Sequence, residues 1–206
     1  ASKLDNPKNI YGCDIDRIAC FIAKINLIIK YREIEFSPNI YNVDALFDND
    51  TLQENSFDII ATNPPWGAMF DDMYKSLYPQ ILSGESFSYF IVKAVKLLKT
   101  SGRASFVLPE SILNVLVHKD VRKFILDNFS LESIKYFDKP FCGVLTDAVL
   151  LELSKNKPNN NLIKIYKSGD EYEVCQNYYS SSDGYNFSLV SDKDVEILDK
   201  LYSINY

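Results

Sequence analysis

Asn63-Pro64-Pro65-Trp66 sets a side-chain amide, two residues without N–H groups and a large aromatic ring in four consecutive positions. Both prolines have φ fixed, and Pro64 pushes Asn63 toward an extended conformation. The pair therefore offers backbone carbonyls with no competing donors. An amino group on an aromatic ring could give its two hydrogens to the Asn63 side-chain oxygen and the Pro64 carbonyl, while Trp66 stacks on the ring face. Such bonding favours a more tetrahedral, more nucleophilic nitrogen. The competing readings are an ordinary turn, since Asn and Pro are common turn residues, and a Trp66 that packs under the loop with Phe70.

Other chemistry-bearing residues are sparse. Asp14 and Asp44 each follow a short apolar segment, where a carboxylate can bind a ligand, cap a helix or sit in water. Asp16 is better placed than Asp14 to cap. Cys13, Cys20, Cys142 and Cys175 show no C-x-x-C spacing, and His118 is the sole histidine, so neither a metal site nor a disulfide framework is expected. His118 reads as a surface or capping residue at a helix start, Glu110 as a strand-end residue, and Lys119, Arg122 and Lys123 as a solvated basic face.

The elements that must position these residues alternate. Short buried strands are expected at Ile10 to Cys13, Asn39 to Val43 and Phe57 to Ala61, ending at Asp14, Asp44 and, through Thr62, Asn63. A helix from Arg17 to about Tyr31 lines Ile18, Ile22, Ile25 and Ile29 on one face. Another, Ser86 to Lys99, leads through a Thr100-Ser101-Gly102 turn to a strand at Ala104 to Leu108. A helix from Lys119 to Asn128 precedes a strand at Leu131 to Phe137, and Ala148 to Leu153 follows without a helix, so that pair should be antiparallel. This order implies an α/β doubly wound sheet with ligands beyond the carboxyl ends of its strands. After Lys155 a polar stretch carries two short strands, Leu162 to Tyr166 and Tyr172 to Cys175, and a helix from Asp192 to about Tyr202.

Composition bounds the rest. The 206 residues are 47% hydrophobic, enough for a packed core, and the formal charge of −6 makes the bare chain a poor match for a polyanion. Seven glycines, none forming G-x-G, leave no glycine-rich phosphate cradle. Nothing resembles a membrane span or signal peptide, and a cytoplasmic location is expected.

N-P-P-[YFW] after a strand resembles the catalytic motif of S-adenosylmethionine-dependent methyltransferases acting on planar nitrogens, above all DNA adenine methyltransferases. Gly12-Cys13-Asp14-Ile15-Asp16 resembles that family's ribose-binding motif, which implies a cofactor role for Asp14 with Ile15. Asn42-Val43-Asp44-Ala45-Leu46-Phe47 resembles the motif that contacts the cofactor adenine, which implies the same for Asp44 with Ala45. Leu97 through Glu110 is similar to the next helix, turn and strand, with Ser101 where a second glycine is more common. Phe137-Asp138-Lys139-Pro140-Phe141, leading into Asp147-Ala148-Val149, resembles the motif whose aromatic stacks on a flipped base; Phe141 is the candidate, Phe137 the second, and filling a core edge the competing role.

The resemblance covers roughly residues 10 to 155, in the motif order of gamma-type restriction-modification methylases. It implies a class I, Rossmann-like catalytic domain over 1–155, with 156–206 as a connector or β/α extension. It further implies S-adenosylmethionine as cofactor, no metal, and duplex DNA as partner, gripped by a recognition domain expected beyond residue 206. The glycine-containing first motif and first strand are expected upstream of Ile10. Without that strand, either the strands ending at Asp14 and Thr62 pair directly or another chain supplies one. Families acting on RNA guanine or protein glutamine share N-P-P-[YFW], and a non-catalytic binding module is the remaining alternative.

Overall fold

A computed structural model describes residues 6–47, 50–141, 143, 146–156, 161–191 and 194. Two compact units are present, Ala1–Gln53 and Glu54–Tyr206.

The first unit is a βαβ arrangement. Strand β1 (Tyr11–Asp14) pairs in parallel with β2 (Asn39–Asn42), and α1 (Arg17–Lys30) connects them. Asp16 caps α1 by accepting from the Ile18 N–H at 2.7 Å, as its position predicts. Cys20, Leu27 and Ile40 form the core with Ile10, Ala23, Tyr31 and Phe36 around it. The stripe Ile18, Ile22, Ile25 and Ile29 is exposed, because α1 turns its other side to the strands and two strands are too narrow to cover both apolar faces. The expectation of a buried first strand also fails: the ends of β1 are exposed and its middle only half-buried.

In the second unit six strands run in the order β3-β4-β6-β5-β7-β8. They are β3 (Phe57–Thr62), β4 (Leu98–Pro109), β5 (Ser130–Phe137), β6 (Ala148–Ser154), β7 (Leu162–Lys167) and β8 (Asp170–Cys175). β3, β4, β5 and β7 run one way, β6 and β8 the other, so β6 is antiparallel to both its neighbours. The segment read as a connector thus adds two strands to the same sheet. Helices α2 (Asp72–Leu77), α3 (Ser86–Leu97), α4 (Lys119–Asn128) and α5 (Gln176–Ser181) complete the unit. α3 packs on β4, α4 on β5, and α4 touches both α3 and α5.

Two local outcomes depart from the sequence reading. The turn at Thr100 to Gly102 is an excursion inside β4: Leu98 pairs with Phe57, and pairing resumes between Arg103 and Ile59. Gly102 is required there, since a Cβ would lie 2.8 Å from Leu98 Cδ2 and 3.0 Å from the Lys99 carbonyl. β3 is an edge strand with Ile59 66% exposed, not a buried one. The expected helix from Asp192 lies, apart from Asp194, outside those residues. Ser191 and Asp194 do exchange hydrogen bonds in the pattern of a capping box.

Candidate functional site

Asn63 to Trp66 leaves the carboxyl end of β3, and its surroundings sort the acceptors of the loop. The Pro65 carbonyl is taken, accepting from the Ser86 hydroxyl at 2.5 Å. The exposed Asn63 amide and the Pro64 carbonyl have no hydrogen-bond partner among the described residues. Pro64 is buried, which anchors the loop at its ring, while the Asn63 side chain stays exposed. Trp66 donates from Nε1 to the Val107 carbonyl of β4 at 3.2 Å, which fixes the indole as part of the loop. Phe70 packs against Tyr74 and Tyr89.

Trp66 and Phe141 come together, with ring centroids 5.7 Å apart and planes at 70°. A planar ring between them would need two stacking distances of about 3.5 Å each and parallel faces, so it enters only if Phe141 swings aside. Phe137 ends β5 and is 41% exposed. The loop carrying Phe141 is pinned at its base. Tyr136 donates its hydroxyl to Asp147, which also accepts from the Lys139 N–H at 3.2 Å, while the Asp147 carbonyl accepts from Glu110 N–H at 3.0 Å. Hydrogen bonding to Asp147 pushes the Tyr136 pKa up to about 12, and the same bond, with that from Lys139, holds the Asp147 carboxyl below its ordinary range.

In the first unit, the β1 and β2 register aligns Asp14 with Asn42, and Asp44 follows two residues later. The Asn42 amide donates to the carbonyls of Asp14 and Ile15 at 3.0 and 2.8 Å, which holds the two strand ends together. Asp14 Oδ1 accepts from Asp16 N–H at 2.8 Å, and its other oxygen has no partner among the described residues. Asp44 Oδ1 accepts from Leu46 N–H at 2.9 Å, closing the turn that contains Ala45. Two carboxylates at adjacent strand ends suit hydroxyl or amino donors. Among the described residues no group of three or more His, Cys, Asp or Glu is arranged to hold a metal, and no helix is long and apolar enough to cross a membrane.

The basic face expected on α4 is divided. Arg122 is fully buried, whereas Lys119 and Lys123 flank the Tyr185 ring at 5.8 and 5.9 Å. His118 precedes α4 but makes no side-chain cap; it is only 3% exposed, with Nε2 3.3 Å from Glu85 Oε2 and 3.4 Å from Ser111 Oγ. Position along the chain signalled the helix start, but not that α3 would cover it. Burial lowers the His118 pKa, with Glu85 opposing and Arg122 adding to the effect. The unfolded chain therefore takes up a proton that the folded one refuses, so this contribution to stability is lost as pH falls below 6.5. Melting curves at descending pH should fall more steeply for the native chain than for His118→Phe; equal slopes would contradict this.

Residues 8–141 match the Eco57I restriction-modification methylase family. The Type II methyltransferase M.VspI of Vibrio sp. (strain 343) is 33% identical over an alignment 205 residues long, which covers 96% of this chain and 49% of that protein. The chain thus spans about half the length of this curated relative. A Listeria monocytogenes protein assigned to the class I S-adenosylmethionine-dependent methyltransferases shares the fold, with a TM-score of 0.61 at 18% identity over 77% of this chain and 49% of that one. The type I restriction-modification methyltransferase subunit of Streptococcus thermophilus superposes with a TM-score of 0.62 at 18% identity, covering 95% of this chain and 42% of its own.

Proposed function

The chain belongs to the Eco57I restriction-modification methylase family, and we propose that Asn63, Pro64, Pro65 and Trp66 form the transfer site of a DNA adenine N6-methyltransferase that uses S-adenosylmethionine. The observation that carries this reading is the sorting of acceptors in the loop: Pro65 is used internally, whereas the Asn63 amide and the Pro64 carbonyl stay unengaged among the described residues. An exocyclic amino group has two hydrogens to give, and two acceptors are left.

Adenine flipped from the duplex, at an unstacking cost of about a few kcal/mol, presents its N6 amino group to Asn63 Oδ1 and the Pro64 carbonyl. Trp66 lies against the base, and Phe141 covers the opposite face after moving away from Trp66. Both acceptors localise the nitrogen lone pair and fix its direction, so orientation contributes most of the acceleration. The amino proton leaves to solvent or to a loop carbonyl. S-Adenosylmethionine, when bound, supplies the electrophilic methyl group. Asp14 with Ile15 fits its ribose hydroxyls and Asp44 with Ala45 its adenine amino group, because both sites are carboxylates at strand ends and Asp14 keeps an unengaged oxygen. Residues 1–155 act as part of the catalytic domain, with 156–206 as its β/α extension, and duplex DNA is the partner.

Asp14→Ala should weaken S-adenosylmethionine binding by about tenfold or more, the value of a hydrogen bond to a charged group, as read by calorimetric titration of the polypeptide as the cell makes it. Unchanged affinity would remove Asp14 from the cofactor site.

A further inference from the structure

The transfer loop is held from one side by a short segment, Gly84 to Ser86, at the start of α3. Met69 and Glu85 form an isolated antiparallel bridge. Around it Ser86 N–H donates to the Ala68 carbonyl at 2.9 Å, Phe70 N–H to the Gly84 carbonyl at 3.2 Å, and Ser86 Oγ to the Pro65 carbonyl. These contacts are backbone-directed or made by a hydroxyl. Glu85 adds a charged one: its Oε1 accepts from the Gly67 N–H at 3.1 Å, one residue past Trp66, where the chain turns through φ +69°.

The second oxygen of Glu85 faces His118 Nε2 at 3.3 Å. His118 Nδ1 is buried without a partner, one of two such side-chain atoms among the described residues; the other, the Tyr89 hydroxyl, lies beside Gly84. A hydrogen on Nδ1 would be stranded, whereas one on Nε2 meets Glu85 and Ser111 Oγ. The imidazole therefore carries its hydrogen on Nε2, on the side that faces Ser111 Oγ and the Glu85 carboxylate. The other charged groups that face it are Asp120 and Arg122, on α4. Asp120 in turn accepts from Leu82 N–H at 2.5 Å and Ser83 N–H at 2.9 Å, so α4 holds the approach to the same segment.

We infer that Glu85 is a positioning residue for the transfer loop: oriented by His118, it fixes the turn at Gly67 and thereby the direction of the Asn63 and Pro64 acceptors. Neither residue touches the reacting atoms. The inference rests on the reading of Asn63 to Trp66 as the transfer site, but its structural half is separately measurable, because Trp66 is the one tryptophan within residues 1–206 and its fluorescence is isolated by difference against Trp66→Phe.

The test compares Glu85→Met, which keeps the stem and removes both acceptors, with Glu85→Gln, which keeps an oxygen for Gly67. Two readouts are taken on the polypeptide as the cell makes it: acrylamide quenching of Trp66 fluorescence, and single-turnover methylation of DNA with S-adenosylmethionine. In Glu85→Met the quenching constant should rise toward that of free indole, and turnover should fall about a hundredfold, the scale of a 1 Å misplacement, with cofactor affinity unchanged. Glu85→Gln should restore most of both. Native quenching and native turnover in Glu85→Met would overturn the inference. If that variant melts, His118→Phe, which removes the polar edge that faces Glu85, should raise quenching in part, and native quenching there would overturn it instead. Altered quenching in Glu85→Met with full turnover would keep the latch and reject its role in positioning, whereas full turnover in Asn63→Ala would reject the transfer-site reading itself.

Discussion

Asn63→Ala should reduce methyl transfer at least about a thousandfold, the upper range for deleting one directed group at a reacting centre, while S-adenosylmethionine affinity stays within the error of titration. The amide is exposed at the end of an edge strand, and no described residue hydrogen-bonds to it, so truncation removes an acceptor without disturbing the fold. The neighbouring Pro65 carbonyl is a poorer substitute, since Ser86 already donates to one of its two lone pairs and fixes its direction. Asn63→Asp keeps an oxygen acceptor and should retain part of the rate. Equal losses in both variants would shift the role of Asn63 from acceptor to donor. Full activity in Asn63→Ala would remove it from the site.

Arg122 carries the second large effect, on stability. Its guanidinium is fully buried and donates from Nε and Nη2 to the Gly184 carbonyl at 3.0 and 2.8 Å, and from Nη1 to the carbonyls of Ile112 and Val115 at 3.1 and 2.9 Å. One planar fork therefore ties α4, the turns after β4 and the segment after α5 into one body. Phe187 N–H adds a bond to the Leu113 carbonyl at 2.8 Å along the same seam. Arg122→Ala strands the buried carbonyls of Ile112 and Gly184, each worth about 1–3 kcal/mol when left without a donor, and leaves a cavity; the summed loss should be about 4 kcal/mol. Arg122→Lys keeps a charge but cannot reach all three carbonyls and should fall between. Urea midpoints read the difference, and a loss in Arg122→Ala below about 1 kcal/mol would show that water or a shifted backbone replaces the fork.

The legibility of these features in the sequence differs by kind. Periodicity located α1, α4, β3 and β5 to β8 within a few residues, and β4 by its second half only, because apolar spacing and turn residues act locally. The antiparallel β5 and β6 pair was legible from the lack of room for a crossover helix between them. Burial was not: Ile59 and the α1 isoleucines look like core residues, and what covers a face depends on contacts outside the segment that carries it. The N-P-P-W loop was legible because its chemistry resides in consecutive residues. Its supports were not, since Glu85 lies 18 residues from Gly67 and looks like an ordinary helix-start acid. Arg122 was misread as solvated for the same reason: its three partners are carbonyls, which any residue type supplies. Asp147 had a weak signal in the motif resemblance that runs on from Phe141, but nothing local pointed to Tyr136 as its partner.

Product analysis tests the central claim most directly. The polypeptide as the cell makes it is incubated with methyl-labelled S-adenosylmethionine and, in parallel, duplex DNA, RNA and protein, and the products are digested and separated. The acceptor pair at Asn63 and Pro64 predicts label in N6-methyladenine from duplex DNA, lost in Asn63→Ala. Label in N4-methylcytosine would contradict the choice of adenine, and label confined to RNA or to protein glutamine would contradict DNA as the substrate.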